Sequence, residues 1–280
     1  MYRAPSGALV FGAGTVQWAW GLDTENLNGG STPDVRMQQA TVNLLADLGA
    51  QPTTLMPSLV AASKSTDTTA PVATITTPSA DAAVLVGAPV VISGTATDSG
   101  GGTIGGVEVS TDNGATWHPA VGRASWTYGW TPRALGTTTI LARAVDDSAN
   151  VQPVATAVRV SATEVEPGSG SVVEGNAGTT PLQVGVTLSN PSTQTVTVQW
   201  TTLSTAGPPA GQAAPATDYV PASGTVTFAP GETAQTITIQ VNGDVDVEPD
   251  EYVIVSFTNA TNAKVGGFLG LSFPVITNDD

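Results

Sequence analysis

Residues 216–260 read ATDYVPASGTVTFAPGETAQTITIQVNGDVDVEPDEYVIVSFTNA, and this stretch decides the fold. Apolar residues alternate with polar ones at Val226 and Phe228, at Ile237, Ile239 and Val241, and at Val253, Val255 and Phe257. A period of two places every second side chain on one face, so each run predicts a half-buried strand. Between the last two runs, Asp244, Asp246, Glu248, Asp250 and Glu251 crowd one loop, where Gly243 and Pro249 discourage regular pairing. Upstream, Leu182, Val184, Val186 and Leu188 alternate in the same way. A run of strands from Ser171 to Asp280 therefore predicts a β-sandwich with an acidic loop.

The composition agrees with an all-β chain. Charged residues are only 11% of the 280, while there are 31 Gly and 20 Pro, which suits short strands between turns. Cysteine is absent, which removes disulfides and thiolate metal sites from consideration. The formal net charge of −15 excludes nucleic acid as a natural partner, because that surface requires a basic face; a cation is the better match. The charge is also uneven: from Thr163 onward Lys264 is the single basic residue. No segment approaches the ~18 apolar residues of a membrane span. Met1-Tyr2-Arg3-Ala4-Pro5 does not begin a signal peptide, so export would be encoded upstream.

Two carboxylates 4 Å apart repel by about 1 kcal/mol in water and by about 4 kcal/mol at an effective dielectric of 20, so the acidic loop would be costly without a cation. Calcium takes six to eight oxygens at about 2.3–2.6 Å, more than one loop usually supplies. A solvated turn that keeps the module soluble is the alternative.

Three further motifs complete the pattern: SVVEGNAG at 171–178, TDY at 217–219 and VITNDD at 275–280. Together with the acidic loop, in this order, they resemble the Calx-β family, the calcium-binding sandwich of sodium/calcium exchangers. That resemblance implies a Ca2+ site at one end of the sandwich. Its carboxylate donors would be Glu174, Asp218, Asp244, Glu248, Glu251, Asp279 and Asp280, with Asp246 offering a backbone carbonyl or its side chain. Gly243 and Asn278 stand where more acidic relatives carry Asp, implying fewer ions and weaker binding, in the range of about 10⁻⁴–10⁻³ M.

Residues 71 to 162 predict another sandwich, with strands at Val72 to Ile75, Val90 to Ala96, Val107 to Val109, Ser125 to Trp130, Thr138 to Val145 and Val154 to Val160. Asp112-Asn113-Gly114 would close a hairpin, and Trp126, Tyr128 and Trp130 share a strand face. The stretches VEVSTDNGATWHPA, WTYGWTP and ARAVDDSANVQP resemble bacterial immunoglobulin-like modules and the accessory sandwich of sulfite-oxidase-type enzymes, implying a spacer or dimerisation role. Asp146, Asp147 and Asn150 read as turn residues, an inter-module cation site being the alternative. With His118 the single histidine, a Ser-His-Asp or zinc site is excluded as the organising chemistry. The tryptophans read as core, with sugar stacking as the alternative.

The first 56 residues differ. They predict strands at Ala8 to Phe11 and Val16 to Trp20, around a Gly12-Ala13-Gly14 turn that lacks the third glycine of a dinucleotide fingerprint. A helix then follows, capped by Ser31 or Thr32, with Pro33 first, Met37, Ala40, Leu44, Leu45 and Leu48 on one face, and Gly49 as its stop. SGALVFGAGTVQWAWGLD and RMQQATVNLLADLGAQP resemble the C-terminal end of the large-subunit-like domain of dimethylformamidase-type amidohydrolases, implying the edge of an α/β hydrolase-like domain without catalytic residues. Residues 57 to 70 and Glu164 to Gly170 read as linkers.

The sequence thus describes two tandem sandwiches, Ig-like and Calx-β, behind a small α/β remnant. The expected role is a non-catalytic calcium-binding adhesion or spacer region at the cell surface or outside the cell. Calcium ions are the expected partner, with surface proteins or glycans as further candidates. The rival reading is a passive accessory tail of a secreted amidohydrolase-like enzyme.

Overall fold

The computed structural model describes residues 1–4, 6–15, 17–25, 32–204 and 210–280. The fold is all-β: two sandwiches in series, preceded by a segment with one helix.

In the first sandwich one sheet runs, in spatial order, Val72–Thr77, Val90–Thr97, Ser125–Trp130 and Val121–Gly122. The facing sheet runs Ala82–Val84, Thr156–Ala162, Gly136–Asp146, Ile104–Ser110 and His118–Pro119. Every expected strand is present, though the last begins at Thr156 rather than Val154, which is exposed. Asn113 and Gly114 both adopt positive φ, as the expected turn requires. The core gathers Ile92, Val107, Val109, Ile140, Val160 and Trp126. Trp126 is buried because Gly94 opposite has no side chain; a Cβ there would meet its ring at 2.5 Å. Tyr128 and Trp130 are half-buried and pack at the edge of that core.

The second sandwich follows without the expected linker. Glu164–Pro167 is a strand, antiparallel to Gly178–Leu188 and parallel to Lys264–Val265, and only Thr163 separates it from the first sandwich. Val165 drives this: it is fully buried in the core, a signal that its Glu and Pro neighbours concealed in the sequence. One sheet orders Ala234–Gly243, Gly178–Leu188, Glu164–Pro167 and Lys264–Val265; the other orders Ser223–Phe228, Val196–Leu203, Ile254–Thr261 and Leu271–Ser272. The inward alternates Leu182, Val184, Val186, Ile237, Ile239, Val241, Val255 and Phe257 fill the space between them. A small sheet of Ser171–Val173, Val275–Thr277 and Glu251–Tyr252 brings the chain end beside the acidic loop.

The N-terminal segment departs from expectation. Tyr2–Arg3 pairs with Leu9–Val10, but Trp18–Gly21 is a 3₁₀ turn rather than a strand; Val16 lies outside the described residues. The helix runs Val35–Asp47 with Asp34 as its cap, its side chain accepting from the Arg36 N–H at 2.8 Å. Thr32 precedes the helix without capping it, Pro33 lies ahead of the cap, and Ser31 is outside the described residues. Gln38, Val42 and Ala46 are the buried positions; of the expected face, Met37, Leu44 and Leu45 are half-buried and Ala40 and Leu48 are exposed. Gly49 ends the helix with φ +76°, as read. Among the described residues no helix is long and apolar enough to cross a membrane.

Candidate metal centre

The ten-residue register between Gly178–Leu188 and Ala234–Gly243, from Gly178 opposite Gly243 to Thr187 opposite Ala234, defines two ends of the second sandwich. Four separate segments converge at the Gly243 end. Glu174 follows the strand Ser171–Val173 and is 4% exposed. Its backbone N–H donates to the Thr277 carbonyl at 3.2 Å, which ties it to the chain end. Asp218 sits in a loop anchored by the buried Tyr219, with its carbonyl accepting from the Asn242 N–H at 2.9 Å. Asp244 leaves the strand Ala234–Gly243, and Glu251 opens the strand that pairs with Ile276.

The carboxylates form two triads. Glu174, Asp244 and Asp280 each offer an oxygen within 4.8 Å of the others, and so do Asp218, Glu248 and Glu251. Six of the eight residues expected as donors are thereby brought together. Asp246 and Asp279 stand outside the triads. The Asp246 N–H donates to Asp244 Oδ1 at 2.8 Å and the Asp246 carbonyl accepts from Asn278 Nδ2 at 2.9 Å, while Asp279 Oδ1 accepts from the Gly175 N–H at 3.0 Å.

The electrostatics are those of negative charge without a counter-charge. Lys264, the module's single basic residue, pairs with Glu164 at 3.8 Å, near the opposite end of the register. Burial, followed by the charge of Asp244, raises the Glu174 carboxyl above the usual carboxylate range. Burial and Asp218 raise Glu248 likewise. Burial, with the hydrogen bond and charge of Asp218, pushes Glu251 up to about 7. All three shifts mean that the ionised form is disfavoured where it stands.

Two residues that the sequence marked only as departures have structural roles. Asn278 is the hub of the site. Its side-chain Nδ2 donates to Glu174 Oε1 and to the Asp246 carbonyl, both at 2.9 Å, its Oδ1 accepts from the Asp280 N–H at 3.1 Å, and its own N–H donates to Asp250 Oδ1 at 3.3 Å. Gly243 has the backbone of Gly175 against it: a Cβ would fall 2.0 Å from the Gly175 carbonyl oxygen. No side chain, Asp included, fits there without moving the Glu174–Gly175 backbone. A glycine ending a strand just before an acidic run was the available signal for this close approach.

The comparisons with known proteins divide between the two sandwiches. Residues 159–278 match the family described as Calx-beta domain, and residues 71–142 match the family described as Bacterial Ig domain. Among solved structures, the chain is similar to the apo-form Calx CBD1 domain, at 23% identity over 42% of this chain and 98% of that one, with a TM-score of 0.36. It is also similar to the calcium binding domain CBD12 of CALX1.1, at 24% identity over 41% and 44%, with a TM-score of 0.35. The Clostridium thermocellum CbhA fibronectin(III)-like modules are similar at 16% identity over 74% and 94%, with a TM-score of 0.29. No protein of curated function matches the chain.

Proposed function

We propose that the C-terminal sandwich binds calcium at its acidic end, through Glu174, Asp244 and Asp280 in one triad and Asp218, Glu248 and Glu251 in the other. Asp246 and Asp279 complete the donor set at the rim. The observation that carries this reading is the convergence of six carboxylates from four chain segments with no cationic side chain among them. The donor set fits the ion: the oxygens are hard, and oxygens within 4.8 Å of one another can share an ion that holds each at about 2.4 Å. Bound calcium would neutralise the triads and fasten the acidic loop to the Glu174 segment and the chain end.

In this reading the chain is a non-catalytic adhesion or spacer region of an extracellular or surface protein, stiffened by the ion. The N-terminal segment, whose helix buries only Gln38, Val42 and Ala46, would be the edge of a larger hydrolase-like domain. Calorimetric titration of the chelated chain with calcium, against magnesium, tests the proposal. Saturable calcium heat that Asp218→Asn with Glu248→Gln diminishes supports it. A titration unchanged by those substitutions overturns it.

A further inference from the structure

The first sandwich holds another carboxylate cluster, built from different segments. Asp67 precedes the first strand, Asp98 follows Val90–Thr97, and Asp146 ends Gly136–Asp146; each brings an oxygen within 4.8 Å of the others. One oxygen of Asp67 and one of Asp98 are already engaged, and both oxygens of Asp146 are. Asp67 Oδ1 accepts from the Thr69 N–H at 2.9 Å, and Asp98 Oδ1 from the Gly100 N–H at 2.6 Å. Asp146, only 4% exposed, accepts at Oδ1 from the Ser148 and Asn150 N–H groups and at Oδ2 from Asn150 Nδ2.

An independent observation concerns the remaining oxygens. Oδ2 of Asp67 and Oδ2 of Asp98 are both sealed from solvent, with less than 1 Å² of exposed surface each, and neither has a hydrogen-bond partner among the described residues. A buried carboxylate oxygen without a donor is disfavoured, and two facing one space are more so. Gly102 borders that space. A Cβ on it would lie 2.3 Å from Asp67 Oδ2, 3.0 Å from Asp98 Oδ2 and 3.4 Å from Asp147 Oδ1, so glycine alone leaves room for whatever the oxygens face. None of the described ion pairs reaches the cluster.

We propose that Asp67, Asp98 and Asp146 hold a divalent cation of the calcium class, with Asp147 bordering it. Oxygen donors from three separate segments, without nitrogen or sulfur, suit a hard cation of flexible geometry. Of the turn residues noted in the sequence, Asp146 does shape its loop. Asp67 and Asp98 turn that loop into a site. The cation clasps residues 65 to 70 to the sandwich, where Asn150 Nδ2 already donates to the Asp67 carbonyl at 3.1 Å and Ser65 Oγ meets Ser148 Oγ at 2.6 Å. It fixes how the preceding chain enters the first sandwich, and its residues are separate from those of the C-terminal site.

The test uses the full chain carrying Glu174→Gln, Asp244→Asn, Asp218→Asn and Glu248→Gln, which disables both C-terminal triads. Calorimetry with calcium should retain one saturable event, which adding Asp67→Asn and Asp98→Asn abolishes. Trypsin gives a second readout at the exposed Lys64: calcium should slow cleavage there roughly tenfold, but not in the Asp67→Asn, Asp98→Asn protein. Asp98→Asn alone, which preserves side-chain size, serves if the double substitution prevents folding. The proposal is overturned by a retained event that survives loss of Asp67 and Asp98, by a flat titration up to about 10 mM calcium, or by equal protection of Lys64 in both proteins.

Discussion

At one end of the C-terminal sandwich, Asn190 Nδ2 donates to Ser161 Oγ at 3.1 Å and Thr163 Oγ1 at 3.0 Å, Ser189 Oγ accepts from the Glu164 N–H at 3.0 Å, and Gln194 Nε2 donates to the Asp81 carbonyl at 3.2 Å. At the other end, two carboxylate triads face one another's charge, with Asn278 donating to Glu174 and the Asp246 carbonyl and Asn176 donating to Asp280. The same strands build both ends. One is completed internally by neutral donors and acceptors and joins the neighbouring sandwich; the other lacks a positive partner. Stability at the first end is intrinsic to the chain. At the second, on the calcium reading proposed above, it depends on the bound ion.

The largest expected effect follows directly. At 100 times its dissociation constant, one bound calcium adds about 2.7 kcal/mol to the state that binds it, raising the melting temperature of the C-terminal transition by roughly 10 °C. Asp218→Asn with Glu248→Gln should remove much of that rise, measured by calorimetry with calcium and with chelator. An equal rise in the substituted protein would place the stabilising ion elsewhere and break the contrast between the ends. Next, Gly243→Ala should cost about 2 kcal/mol in the calcium-free protein, because the added methyl meets the Gly175 carbonyl at 2.0 Å and the backbone that carries Glu174 must move. A neutral outcome in melting experiments would contradict that close approach.

Asn278→Asp sharpens the comparison further. It replaces a donor to Glu174 with another anion, so the calcium-free protein should lose about 1–2 kcal/mol while the calcium-induced rise grows. Chelator and calcium melts of the variant separate these two changes. An unchanged calcium-free melt would show that the amide contributes nothing to the balance of charge.

How far the sequence reached differs between the two kinds of feature. Strand alternation at Ile237, Ile239 and Val241 required no knowledge of partners, since a period of two already states which face is buried. The clustering of the carboxylates was legible through the Calx-β resemblance, which depends on the order of four motifs along the chain and not on their contacts. Val165 was not legible as a strand, because one apolar residue between Glu164 and Glu166 has no period. Nor could the sequence show why Gly243 and Asn278 depart from acidic relatives, since both reasons lie across the chain, at Gly175 and Glu174. The helix face failed for a related cause: periodicity ranks apolar residues but does not say what packs against them.

Proton binding should mirror calcium binding at the acidic end. An unfolded Glu titrates near 4.5, whereas folded Glu251 holds its proton up to about 7, and Glu174 and Glu248 shift in the same direction. Between those values the folded state binds more protons at these groups, so their contribution to calcium-free stability is greatest at or below about pH 4.5 and falls as pH rises toward 7. Calcium competes with the same protons, so its affinity should rise over that window. Melting curves and titrations at several pH values check both slopes, and parallel slopes with and without calcium would contradict a shared site.

The smallest expected effect belongs to the opposite end. Asn190→Ala removes two hydrogen bonds at the junction of the sandwiches, costing about 1 kcal/mol, and Lys264→Ala removes a partly exposed ion pair at 3.8 Å, costing about 0–0.5 kcal/mol. Both losses should be the same with calcium and with chelator, because neither residue touches the acidic triads. Measuring the two variants under both conditions determines whether the ends act independently. If Asn190→Ala instead reduced the calcium-induced rise in melting temperature, strain would have to pass along the Gly178–Leu188 and Ala234–Gly243 pair, the continuous structure that connects the ends.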